Sequence, residues 1–565
     1  MEKKIKVAYF SMEIALESDI PTYSGGLGVL AGDTLRSCAD LEIPIVGITL
    51  AYNNGYFYQM IDFYGNQVEK DIRWEFSDQF KTAPVAVKIN IQGKDVLVGA
   101  WVYEILGITG HVVPVYLLDT NIEGNEDWQK NFTRVLYDAT PFQRIAQEII
   151  LGMGGVKILE SLGFEDIETY HMNEGHAAFL TLELLNRFNG NEEEVKKRTV
   201  FTTHTPVPAG HDRFPYDLVN DVFKNGSIPS NIRELAGVDE LNMTKLGLNL
   251  SKYVNGVSKK HMDITQKMFP DHPIDGITNG IHLKTWINPI LAEFYEMNFP
   301  NWVFKQSVFE HSYIFDGNEL MRLHNLCKKE LLDYQKSHSW VLLKNNLLTI
   351  GFSRRVALYK RANLILRDLD KLGKLCKNKV QFIFAGKAHP RDNQAKQLIK
   401  DLYAASSYLW DNYRVGLTFL ENYDMDLSKL LVSGCDIWLN TPRRYLEASG
   451  TSGMKAAFNG VLNFSVLDGW WLEGYAISGG MAGWSIGPGP DDPKAEINDD
   501  EADAAEIYRK LEKEIIPMYY KRKKEWYERM KNAIRLIAYF NTNRMVREYA
   551  DRAWLLKTQP RWRSR

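Results

Sequence analysis

Cysteine is scarce in this chain. Cys38, Cys327, Cys376 and Cys435 are spread over 565 positions, with no CxxC pair among them. Such spacing offers neither a disulfide framework nor a zinc site, and it suits the reduced thiols of a cytoplasmic protein. An excess of one charge is also missing: 68 Lys and Arg stand against 71 Asp and Glu, a net charge of -3. Binding along a phosphodiester backbone needs a basic excess, so nucleic acid is excluded as the main partner. No apolar run reaches the roughly 20 residues of a membrane helix. The opening MEKKIKVAYFSMEIALE reads as a polar lead into a strand rather than a signal peptide. Short-period repeats, low-complexity tracts and disordered linkers are absent as well.

What is present is the composition of a globular enzyme, 45% apolar and 25% charged, with 12% aromatic residues that serve mostly as core. The length exceeds one ordinary core and indicates two domains of roughly 250 to 300 residues each. Short apolar runs alternate with helix-period segments, the pattern of α/β layers around parallel strands. Expected strands are Lys6–Phe10, Pro44–Leu50, Val112–Leu118, Thr199–Thr203 and Gly276–Thr278, then Leu347–Phe352, Val380–Ala385, Val415–Leu420 and Ile437–Asn440. Texture changes after Asn279-Gly280-Ile281, where a polar helical stretch from about Pro289 to Ser337 begins. This places a first Rossmann-like domain at 1–285, a second at 286–540, and a helix at 541–565 returning to the first. Ligands of such sheets sit outside the C-terminal strand ends, here facing one cleft. His204, Arg355, Lys360 and Glu447 all follow expected strands.

Three segments carry chemistry. In LEASGTSGMKAAFNG, Lys455 stands between small hydroxylated residues and an apolar run, which suits a lysine held covalently as an imine rather than as a solvated ammonium. Tyr23-Ser-Gly-Gly-Leu-Gly puts Gly25, Gly26 and Gly28 just before an expected helix over Val29–Leu41, either a cradle for a phosphate or sugar phosphate or a plain tight turn. The match to a dinucleotide fingerprint lacks the tight strand-to-glycine turn. Third, Ser353-Arg-Arg-Val-Ala-Leu-Tyr-Lys-Arg holds four cations in nine residues after a buried strand. Two phosphates about 4–5 Å apart repel by roughly 3–4 kcal/mol per charge pair at a dielectric near 20, and Arg354, Arg355 and Lys360 are placed to offset that.

Other motifs lead nowhere. His171-Met-Asn-Glu-Gly-His176 has the wrong spacing for two metal ligands on one helix face. Ser452-Gly-Met-Lys455 spells SxxK without its companion motifs, and neither GxSxG nor a glycosidase carboxylate pair occurs. Asp468-Gly-Trp-Trp-Leu-Glu473 reads as loop packing.

Nearly end to end, the chain resembles the α-glucan (glycogen, starch, maltodextrin) phosphorylases in their short bacterial and archaeal form. YFSMEIALE, YSGGLGVLAGD, YHMNEGHAAF, FTTHTPVPAGHDRF, GITNGIHLKTW, RRVALYKR, FIFAGKAHP, FLENYDMDL, EASGTSGMK and FNTNRMVREYA carry the resemblance. It implies the two-domain GT-B glycosyltransferase architecture and pyridoxal 5'-phosphate bound through Lys455. The cofactor phosphate would lie near Gly26, Arg354, Thr451 and Ser452, with Tyr423 close by. Inorganic phosphate, or that of glucose 1-phosphate, would be held by Arg355, Lys360 and the Gly26 amide. The glucosyl unit would be gripped by Glu447, Ser449, Gly450 and Asn279, and by the main-chain carbonyl of His204. The implied reaction is retaining phosphorolysis of an α-1,4-glucan or maltodextrin, with the cofactor phosphate as proton relay. A nucleotide-sugar-dependent glycogen or starch synthase is the rival with the same architecture. Family enzymes are often homodimers, though no stripe in this sequence marks an interface.

The chain departs from the family's long forms at several positions. Ser452-Gly453 replaces Gly-Asn, Arg354 replaces a lysine, Ala357-Leu358 replace His-Glu, and Ala15 replaces a tyrosine. Tyr137–Pro141 and Pro206–Arg213, on the acceptor side in relatives, are altered, which leaves glucan length preference open. The regulatory N-terminal extension of the animal enzymes is missing, so their allosteric control is not expected.

Overall fold

The computed structural model describes residues 4–72, 74–76, 78–137, 140–224 and 228–555. Within the segment Tyr137–Pro141, positions 138 and 139 lie outside the described residues, as does 556–565 of the expected terminal helix. The fold is mixed α/β with largely parallel sheets, in two compact units. The first unit gathers Met1–Phe57, Asp71–Thr278 and Thr542–Arg565, the second Tyr58–Lys70 and Asn279–Asn541. The chain therefore changes unit at Thr278/Asn279 rather than at 285/286. The second unit also claims a hairpin from within the stretch expected to belong to the first, Tyr58–Ile61 with Gln67–Lys70. Buried amides explain that exchange: Gln59 Nε2 donates to the Gly386 carbonyl at 2.8 Å and Gln67 Nε2 to that of Ala388 at 2.9 Å.

Among the described residues the first unit's main sheet has nine strands. Seven are parallel: Val7–Ser11, Ile45–Leu50, Val112–Asp119, Thr169–Asn173, Thr199–Thr202, Tyr253–Gly256 and Asp275–Gly276. Counted along the chain they lie in the order 3-2-1-4-5-6-7. Val7–Ser11 and Ile45–Leu50 are buried throughout, which is why they read as apolar runs without alternation. An antiparallel hairpin, Lys81–Ile91 with Lys94–Leu106, extends the edge beside Val112–Asp119. Lys94–Leu106 carries the uncharged run Val96–Tyr103, a strand signal that the sequence reading did not include.

The helix expected at Val29–Leu41 spans Gly26–Asp40, with Gly25 as N-cap, so Gly26 and Gly28 lie inside its first turn and not ahead of it. At the other end of the chain, Thr542–Glu548 and the wider turn Tyr549–Ala553 pack into the same unit. Tyr549 and Trp554 join Val7, Tyr9 and Leu35 in one core, and Trp554 Nε1 donates to His171 Nδ1 at 3.0 Å.

The second unit's main sheet is all parallel: Leu348–Ser353, Val380–Ala385, Leu417–Leu420, Ile437–Asn440, Leu462–Val466 and Gly483–Ile486. Counted along the chain, these six run 3-2-1-4-5-6. The polar stretch after Pro289 forms Pro289–Asn298, Gln306–Ile314 and Gly317–His338. Leu331 and Leu332 of the last helix share a core with Ile383, Trp438 and Ala456, which seats the helix Ser452–Phe458 against the sheet.

Candidate active site

In the second unit the chemistry-bearing side chains leave the C-terminal ends of neighbouring parallel strands. Arg354 follows Leu348–Ser353, and Glu447 follows Ile437–Asn440. Glu447 Oε2 receives Arg354 Nη2 at 2.5 Å and lies 3.7 Å from Lys360 Nζ. The other arm of Arg354 donates to Asn440 Oδ1. Burial pushes Lys360 down to about 7, with the Arg354 charge acting the same way and Glu447 opposing. Burial alone would raise Glu447, but Arg354 and Lys360 outweigh it and hold that carboxyl below its ordinary value. The result is a buried cluster of two cationic side chains bridged by one carboxylate.

Lys455 is 5% exposed, and its Nζ stands 3.4 Å from the centre of the Trp286 ring. Its helix lies close against Leu462–Val466, because a Cβ at Gly453 would run into Asn463 and Trp470. Thr451 and Ser452 open that helix, and Ser452 Oγ accepts from Trp438 Nε1 at 3.1 Å. Tyr423 donates to Ser428 Oγ at 3.0 Å, and burial raises its phenol. Ser449, Gly450 and Glu447 share one loop, and Asn279 is buried at the start of the second unit. The Arg354 Nε and Ser449 Oγ atoms are buried without a hydrogen-bond partner among the described residues. Arg355 differs from Arg354: it is exposed and hydrogen-bonded to Tyr359, outside the cluster.

Gly26 and His204 belong to the first unit. A Cβ at Gly25 or Gly26 would meet nothing within 4 Å, so packing inside this unit does not require glycine there. The amides of Ser24 and Gly25 donate to Glu13 Oε2 at 2.6 and 3.1 Å, and Tyr137 donates to Glu13 Oε1 at 2.7 Å. His204 lies just past Thr199–Thr202, where its Nε2 meets Asn173 Oδ1 at 2.7 Å and its N–H donates to Glu174 at 2.7 Å. Burial pushes this imidazole down to about 3. His171, Glu174 and His176 each face a different partner: Thr202, the amides of Gly175 and His204, and Asp212. Among the described residues no group of His, Cys, Asp and Glu could hold a metal.

Sequence reasoning missed Glu13, Trp286 and Asp468. Glu13 lies in a recognised motif, but its partners come from the glycine loop and from Tyr137. Trp286 is remote in sequence from the lysine it covers. Asp468 was set aside as loop packing.

A family model described as carbohydrate phosphorylase matches residues 7–149 and 211–477. The chain is 38% identical, over 97% of its length and 70% of the relative's, to a maltodextrin phosphorylase of Thermococcus litoralis. It is 35% identical to a glycogen phosphorylase of Aquifex aeolicus, over 97% of this chain and 86% of that one. A glycogen phosphorylase of Mycobacterium tuberculosis is likewise 35% identical, over 96% of this chain and 70% of its own. By the family match over most of its length and by these relatives, this chain belongs to the carbohydrate phosphorylase family.

Proposed function

We propose that the protein is a pyridoxal-phosphate-containing α-glucan phosphorylase that converts an α-1,4-glucan and inorganic phosphate into glucose 1-phosphate and a chain one unit shorter, with retention. One observation carries the reading. In a member of this family, a buried lysine on an aromatic face and a buried Arg354–Glu447–Lys360 cluster stand at the C-terminal strand ends of one sheet. The strand order supports reading each unit as Rossmann-like, doubly wound around its own sheet. Four buried, unpaired thiols fit a cytoplasmic setting.

The residues present suit the cofactor. Lys455 offers a buried amine, while Arg354 Nε and the Ser449 hydroxyl are polar atoms that the protein leaves without a hydrogen-bond partner. Lys455, Arg354, Thr451, Ser452 and Tyr423 would hold it. When bound, the cofactor supplies a phosphate that exchanges a proton with the substrate phosphate. Lys360, balanced near neutrality, takes its charged form as the substrate dianion arrives and keeps that proton on Nζ. Arg355 adds positive charge from the rim, where its guanidinium already acts on Lys360 and Glu447. Glu447, Ser449, Asn279 and the Gly450 backbone hold the sugar hydroxyls. The neutral His204 imidazole, engaged by Asn173, takes no part in proton transfer.

Borohydride reduction and peptide mapping should give a pyridoxyl adduct at Lys455. Maltodextrin should release glucose 1-phosphate only in the presence of phosphate. Absence of the adduct, or activity that depends on a nucleotide sugar, would overturn the reading.

A further inference from the structure

We propose that Asp468 is a positioning residue for the sugar-gripping loop 445–450: its buried carboxylate fixes the backbone of Glu447 and, through the turn it begins, that of Ser449. This deepens the proposed function and rests on Glu447 and Ser449 holding the sugar.

The loop needs an external hold. Tyr445 and Gly450, at its two ends, have φ of +67° and +81°, and a non-glycine residue in the left-handed region is costly. Glu447 and Ser449 lie between them. Asp468 leaves the strand Leu462–Val466, which pairs in parallel with the strand preceding the loop, so the two emerge side by side. Asp468 is 2% exposed. Its Oδ2 accepts the Glu447 N–H at 2.9 Å and its Oδ1 the Gly469 N–H at 2.8 Å, and the Tyr445 amide also donates to this carboxyl. The Trp470 N–H then donates to the Ser449 carbonyl at 2.9 Å. Gly469, at φ +50°, lets the two backbones approach, because a Cβ there would overlap the Ser449 carbonyl.

A purely local role fits less well. An aspartate that capped the helix Trp470–Ile477 would sit at the N-cap and bond the second or third helical amide. Here the N-cap is Gly469, with no side-chain cap bond. The Asp468 carboxyl is spent on the substrate loop instead. Burial pushes it up to about 8, and the three backbone amides pull the other way.

The test is Asp468→Asn in the full, cofactor-loaded protein, because it keeps the shape and replaces one acceptor by a donor facing an N–H. Hydrogen exchange at the amides of 445–450 should accelerate by about tenfold or more, as loss of the acceptor of a buried N–H implies. Efficiency with glucose 1-phosphate should fall by about 10²-fold, the scale of a misplaced binding group. The Lys455 adduct and the KM for phosphate should stay as in the wild type. Combined with Glu447→Gln, the loss should be no larger than the larger single loss, since both changes act through one group. Unchanged exchange at 445–450, or fully additive losses, would overturn the proposal. Should the variant not fold, Gly469→Ala pushes on Ser449 from the same turn, and unaltered exchange there would count equally against it. The exchange measurement stands even if the wild type releases no glucose 1-phosphate, so failure of the proposed function and failure of this assignment are distinguishable.

Discussion

Lys360 is poised between charged and neutral forms because it is buried beside Arg354, and only Glu447 offsets that pressure. Replacing it by alanine should leave pyridoxyl labelling of Lys455 intact and lower phosphorolysis by about 10²–10³-fold, the usual effect of deleting one stabiliser of transition-state charge. A wild-type rate would refute the assignment. With the charged form in the proposed phosphate-holding role, kcat/KM should decline as pH rises through about 7. Lys360→Arg, which does not titrate there, should remove that part of the decline in parallel profiles. Gly26 supplies a contrasting case. Gly26→Ala should leave the thermal midpoint unchanged, since the new methyl meets nothing within 4 Å, yet raise the KM for phosphate by about tenfold. The EASGTSGMK and RRVALYKR motifs made Lys455, Arg354 and Lys360 legible as candidates. The glutamate bridging Arg354 and Lys360 was visible only as a separate sugar ligand, because charge pairing across two loops leaves no mark in either.

At the scale of elements, the C-terminal segment is a structural part of the first unit. Trp554 is 1% exposed, stacks near Tyr549 and donates to the buried His171 ring. Trp554→Ala should destabilise that unit by about 3–5 kcal/mol, seen as a lower urea midpoint. A shift below about 1 kcal/mol would mean the segment is only loosely docked. Most parallel strands were legible because burial on both faces leaves uninterrupted apolar runs, but Thr169–Asn173, Tyr253–Gly256, Leu462–Val466 and Gly483–Ile486 were not expected. The edge hairpin 81–106 was not expected, although Val96–Tyr103 is an uncharged run. The start of the glycine-loop helix was misplaced by three residues because glycine is a poor helix former, and here Glu13 takes the two amides ahead of the first turn.

Across the whole molecule, acid should be the weak direction. His171 and His261 are each 1% exposed, and burial pushes them down to about 3 and about 4. The unfolded chain therefore binds more protons than the folded one between those values and about 6.5. Stability should rise with pH across that window. Acidification from 6.5 towards 4 should cost up to about 1.4 kcal/mol per pH unit for each ring, measured as a falling urea midpoint. A flat profile would show that the rings charge without unfolding. The sequence by itself determined the α/β class, most parallel strands, the family and the lysine at its centre, because covalent and phosphate chemistry demand particular residues in short contiguous motifs. Tertiary structure alone decided that residues 58–70 join the second unit, that Arg355 faces outward while Arg354 binds Glu447, and that Asp468 takes the amides of the loop beside it. Those outcomes depend on which strands become neighbours and which polar groups lose water together, and a linear pattern does not encode them locally.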